Sequence, residues 1–363
     1  MSFWTKNDRF EAVLNGELAD RTPVAAWGHF VPHELLPQAL AEITTDFTTT
    51  YDWDWIKLNP RSSYYGEAWG THYDHSDVDV FQPRAIDSLI SEPVHVWRIH
   101  RESGIRSRAL ADQVLATELV HKALPDVPLA QTVFNPLTAL LEIAAQPVDT
   151  TERVPGSPSR ATLERLLNDE PEGVRHALDE ISAAFLTYFE RLKNAGASAL
   201  FYAITPATNN PILNRALIGE FSDRWDRQLI GAAKDLGFKV IYHTCGEDTV
   251  PQRLVSLGAD GLSWDSSSPL NPAIADVAGI VPVGGVDRLA IDSHDVDAVQ
   301  AQAGDTERAL AGRPHLLAPT CAVTTGFDNP ALFALHAAVA PDEALARKAS
   351  ADATVHTPAP AGV

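Results

Sequence analysis

Cysteine occurs only twice in the 363 residues, at positions 245 and 321. Two cysteines build no disulfide framework, and so sparing a use suits a reducing cytosol. Positive charge is also short. Against 48 Asp and Glu stand 28 Lys and Arg, a formal net charge of −20. That disfavours nucleic acid and anionic membrane surfaces as partners, since phosphate contacts need clustered cations. No apolar run approaches the roughly 20 residues of a membrane span. "MSFWTKNDRFEAVL" lacks the basic segment and apolar core of a secretory leader. No repeat at a 20–50 residue period is visible. These absences together predict a cytoplasmic protein with a strongly solvated surface.

Apolar residues, by contrast, make up 45% of the chain, enough for a large core. They cluster in eight short runs: 23–27, 55–59, 128–134, 197–204, 238–245, 260–265, 280–287 and 315–321. Helical patterns precede most of these runs, and Gly196, Gly237, Gly258, Gly279 and Gly312 punctuate the helix ends. Strands alternating with helices demand a parallel sheet, and eight of them over this length predict a (β/α)8 TIM barrel. An N-terminal extension precedes the barrel, and the stretch from about 60 to 125 forms an inserted segment after the second strand. The Ala-, Pro- and Thr-rich end, "ADATVHTPAPAGV", builds no core. We expect one domain over 1–345 and a flexible tail over 346–363.

Chemistry in such barrels sits at the C-terminal ends of the strands. Both cysteines fall there, Cys245 in "KVIYHTCGED" after the fifth run and Cys321 in "APTCAVTTGFDN" after the eighth. His243 lies two positions before Cys245, so both side chains share one face of a strand. One imidazole and two thiolates suit zinc in tetrahedral geometry, with a fourth position left for substrate. The competing reading is two small core cysteines and a hydrogen-bonded histidine.

The chain resembles the uroporphyrinogen decarboxylase superfamily over nearly its whole length. The resemblance is carried, in order, by "NDRFEAVLNGELADRTPVAAW", "WIKLNPR", "TVFNPLTAL", "IYHTCGE", "LVSLGADGLSWD" and "APTCAVTTGFDNPALFALHAAV". It implies a (β/α)8 barrel and two possible chemistries. The decarboxylases grip substrate carboxylates with a basic N-terminal segment, whereas here "RTPVAAWGHF" has no arginine after Arg21. The corrinoid-dependent methyltransferases carry an H-x-C and a distant Cys as zinc ligands, and His243, Cys245 and Cys321 match that pattern. The resemblance therefore implies a zinc-dependent methyltransferase acting with methylcobalamin or another corrinoid, with a cofactor-free decarboxylase as the alternative. No D-x-H-x-x-G stretch is present to hold a corrinoid, so a corrinoid protein is expected as a partner beside the small-molecule substrate. The family also commonly forms dimers.

Further residues are candidates by position. Asp265, in "SWD", is a candidate fourth ligand in the resting state. Glu247 is a candidate partner of His243 or a helix N-terminal carboxylate. Trp27, His29, Asn59 and Arg61 follow the first two strands, and Arg61 is suited to gripping a substrate anion. Tyr202 is expected to face the lumen, and Asp287 to line the pocket or cap a helix. Tyr64 and Tyr65 read as packing residues, and His33, His72 and His75 as a weak second metal candidate.

Overall fold

The computed structural model describes residues 4–76, 83–146, 157–204, 217 and 219–340. The expected tail over 346–363 lies outside the described residues. Eleven strands are described: β1 Gly28–His29, β2 Ile56–Leu58, β3 Tyr73–Asp74, β4 Arg84–Ala85, β5 Leu129–Phe134, β6 Ala199–Ile204, β7 Lys239–Thr244, β8 Gly261–Trp264, β9 Val281–Val286, β10 Leu316–Pro319 and β11 Val323–Thr324. A curled, all-parallel sheet runs β10-β9-β8-β7-β6-β5-β2. Its two edges are joined by the first apolar run. Val24 bridges Leu317 in parallel, and Ala25 N–H donates to Leu317 O at 3.2 Å. On the other side Asp54 N–H reaches Val24 O at 2.9 Å. Eight staves thus close a (β/α)8 barrel. The first stave is too irregular to register as a strand, in part because Pro23 has no N–H to give. A short parallel pair, β1 with β11, continues the closure toward the mouth. Gly28 is needed there, since a Cβ would meet Val323 O at 2.1 Å.

Side chains alternate across each stave. One set, including Trp27, Ala130, Ala199, Phe201, Ile241, Val283 and Ala318, fills the lumen. The other, including Leu200, Tyr202, Val240, Tyr242 and Trp264, packs under the helices. The helix Pro171–Asn194 shows how the outer layer forms. Proline sits in its first turn, and its buried positions 174, 177, 178, 181, 185, 188, 189 and 192 recur at three- and four-residue steps. The inserted segment contributes the helices Tyr64–Ala68, Arg101–Arg106 and Arg108–Ala123 and the β3–β4 ribbon.

This parity corrects one expectation. Tyr202 points away from the lumen, and its hydroxyl donates to Asp226 Oδ1 at 2.8 Å. Asp226, on the helix Arg224–Asp235, also accepts from Tyr242 at 2.9 Å and from Ser222 at 2.8 Å. Asn135 Nδ2 approaches the same carboxylate at 3.2 Å. Burial pushes the Asp226 carboxyl up to about 6, opposed by these hydrogen bonds. Tyr202 is therefore a latch between barrel and helix layer. Tyr64 and Tyr65 are fully buried packing residues, as expected.

Candidate metal centre

β7 ends at Thr244, which leaves His243 on the lumen face and Cys245 one residue past the strand on the same side. Cys321 comes in between β10 and β11. One ligand atom each from His243, Cys245 and Cys321 lie within 4.8 Å of one another, and these three make the single such group found among the described residues. The two sulfurs are 3.7 Å apart. Two sulfurs bound about 2.3 Å from one tetrahedral zinc lie about 3.8 Å apart. The donor set and its spacing fit that ion. A hydrogen bond with Cys245 holds the Cys321 thiol well below the usual thiol range, burial opposes this, and His243 adds to the lowering. Cys321 is thus poised for deprotonation, as a metal requires.

His243 is buried, and its Nδ1 meets Ser263 Oγ on β8 at 3.1 Å. Its ring packs 5.2 Å from Phe201. Ser263 thereby fixes the ring through the nitrogen expected to meet Glu247. Glu247 itself is exposed on the connection after β7. Asp265 follows β8 but stands outside the converging group. Its Oδ1 accepts N–H groups of Ser267 at 3.1 Å and Ser268 at 3.3 Å.

The remaining candidates divide by location. Trp27 is a lumen residue whose ring stacks obliquely 5.4 Å from Phe201. Asn59 is buried, with Nδ2 donating to Gly28 O at 2.8 Å and Oδ1 accepting from Lys57 and Thr132. His29 Nδ1 pairs with the buried Glu34 at 2.8 Å. Arg61 is occupied by Glu67, its Nε lying 2.9 and 3.0 Å from the two carboxylate oxygens. It lines a cleft of about 570 Å³ with Leu35, Trp69, His75 and Arg108, and none of the three metal-centre residues lines that cleft. Asp287 caps the helix Arg288–Asp292, its Oδ1 accepting Leu289 N–H at 2.9 Å. His72 and His75 pair separately, with Asp87 and Glu67.

One residue escaped the sequence reading. Lys57, central in β2, enters the lumen with Nζ 4.6 Å from the Phe201 ring and 5.5 Å from the Trp27 ring. The alternation Ile56-Lys57-Leu58 signals a strand with one polar face, and only the closure of the barrel turns that face inward.

The uroporphyrinogen decarboxylase (URO-D) family profile matches residues 5–340. No curated protein matches this chain in sequence. Among solved structures, a methyltransferase from Methanosarcina mazei superposes with a TM-score of 0.74 at 18% identity, over 93% of this chain and 98% of that one. GH5_18 from Streptomyces cattleya shares the barrel with a TM-score of 0.52 at 13% identity, over 94% of this chain and 83% of that one. The profile runs from the first helix to the last described one, and on that ground the chain belongs to the uroporphyrinogen decarboxylase family.

Proposed function

We propose that this protein is a zinc-dependent methyltransferase that moves a methyl group between a corrinoid and a small thiol or methylated substrate. The observation that carries the reading is the convergence of His243, Cys245 and Cys321 at the spacing one tetrahedral zinc needs. When bound, zinc would keep a substrate thiol ionised yet nucleophilic. The chain's own groups supply the rest. Ser263 orients His243, and two thiolates place negative charge beside the substrate position. Trp27 and Phe201 wall the lumen below it. Asp265 lies outside the group whose ligand atoms converge, and its Oδ1 accepts two backbone N–H groups.

The Methanosarcina mazei neighbour, named a methyltransferase and matched end to end, supports this branch of the family. The decarboxylase reading is weakened by Arg21, which is clamped on Asp54 at 2.6 and 2.8 Å, before the start of β2 and away from the mouth. For the corrinoid we favour a separate carrier protein. Exposed Leu36, Val250, Leu270, Leu289 and Phe327 lie on connections that follow the C-terminal ends of five different staves. An apolar rim of that kind suits a partner seated over the mouth.

The test is metal analysis of the purified protein together with methyl transfer from methylcobalamin to a small thiol. One zinc per chain is expected, with transfer abolished in Cys321→Ala. Full activity in zinc-free protein, or carbon dioxide release from a carboxylated pyrrole without zinc, overturns the reading.

A further inference from the structure

We infer that Lys57 is the positioning residue that makes the centre accept its thiol substrate as the thiolate anion. The inference rests on the zinc reading above and concerns what surrounds that site. Lys57 Nζ hydrogen-bonds Asn59 Oδ1 and otherwise faces aromatic rings. Asn59 is fixed in turn by Gly28 O and Thr132 Oγ1, so the ammonium is held in place from the rim of β1 and from β5. The Phe201 ring is a shared neighbour, with this cation at 4.6 Å and the His243 ring at 5.2 Å. Among the described residues, Lys57 forms no ion pair with a carboxylate within hydrogen-bonding reach. Glu34 acts on it only from further away, its Oε1 being taken by His29 Nδ1 and Phe30 N–H, both at 2.8 Å.

A partly buried cation without an adjacent matching anion is costly. Zinc carries two positive charges, and Cys245 and Cys321 as thiolates cancel both, with a neutral His243. Lys57 then leaves the filled centre with one positive charge to spare. A third thiolate balances it, whereas a neutral thiol does not. Burial lowers the Lys57 ammonium to about 8, and Cys321 and Cys245 rank ahead of Glu34 in raising it again.

The test uses the full chain loaded with cobalt(II) in place of zinc, read by the thiolate-to-cobalt charge-transfer absorption. Mercaptoethanol, with a neutral tail, and mercaptoacetate, with an anionic one, are titrated into wild type, Lys57→Met and Lys57→Arg. We expect equal cobalt loading throughout. Lys57→Met should bind both thiols roughly ten- to a hundredfold more weakly, the scale of one lost charge-assisted contact, and Lys57→Arg should recover most of that loss. Lys57→Gln, which keeps a donor toward Asn59, replaces Lys57→Met if the latter does not fold. Unchanged thiol affinity in the neutral variants overturns the inference. So does a loss confined to mercaptoacetate, which would assign Lys57 to the substrate's tail. Failure of wild type to take up cobalt overturns the zinc reading itself and is seen before any thiol is added.

Discussion

At the scale of single residues, the site rests on how a histidine ring is held. His243 presents Nε2 to a metal best when its other nitrogen is held by a partner, and Ser263 Oγ meets that nitrogen at 3.1 Å. Ser263→Ala is expected to weaken zinc binding by roughly ten- to a hundredfold, the usual cost of losing a ligand's supporting partner. Chelator competition measures it, and Ser263→Thr should restore most of the affinity. An unchanged affinity in Ser263→Ala would mean that packing against Phe201 alone orients the ring. The candidate metal ligands were legible because cysteine occurs only twice and both copies fall at strand ends, one of them two positions after a histidine. Ser263 was not, since one serine in "GLSWD" has no spacing to distinguish it. Lys57 was hidden by the opposite effect, because a lysine in a short strand ordinarily marks the wet face. Arg61 drew attention by charge and position, and it pairs with Glu67 through Nε and Nη2 while its buried Nη1 has no partner among the described residues.

At the scale of elements, each apolar run foretold a stave, but not which of its faces turned inward. Tyr202 shows the consequence: one step along β6 separates the lumen-facing Phe201 from a tyrosine bound to Asp226. Parity in a short run flanked by apolar residues on both faces leaves no alternation to read. The Asp226 latch carries a pH signature. Its carboxyl is raised from 3.8 to about 6 by burial, so the folded chain holds this proton more tightly than the unfolded one. Its contribution is therefore largest below about pH 4 and is lost as pH rises through about 6. The difference amounts to about 3 kcal/mol. Asp226→Asn, which cannot ionise, should remove this component. Urea unfolding of both proteins between pH 4 and 8 should show wild type losing stability relative to the variant as pH rises. A pH-independent difference would mean that the four donors keep Asp226 ionised throughout.

At the scale of the whole molecule, the question is whether metal holds the barrel together or the barrel holds the metal. The lumen core and the outer core are both extensive, and the closing contacts of the barrel, Val24 with Leu317 and Arg21 with Asp54, involve none of the three ligands. Small zinc domains unfold without their ion because they have no such core. This chain should not. Chelation is expected to leave the far-ultraviolet circular dichroism and a cooperative melt intact. Zinc at about a thousandfold its dissociation constant should then add about 4 kcal/mol by binding the folded state alone. In a chain of this size that raises Tm by several degrees and no more. Cys245→Ser should melt like the chelated wild type and gain little from added zinc, since a serine hydroxyl is a poor zinc ligand at neutral pH. A chelated protein without a cooperative transition would make the ion a structural staple. The open coordination position needed for methyl transfer would then lose its physical basis, because an ion that staples a fold has its ligands closed around it.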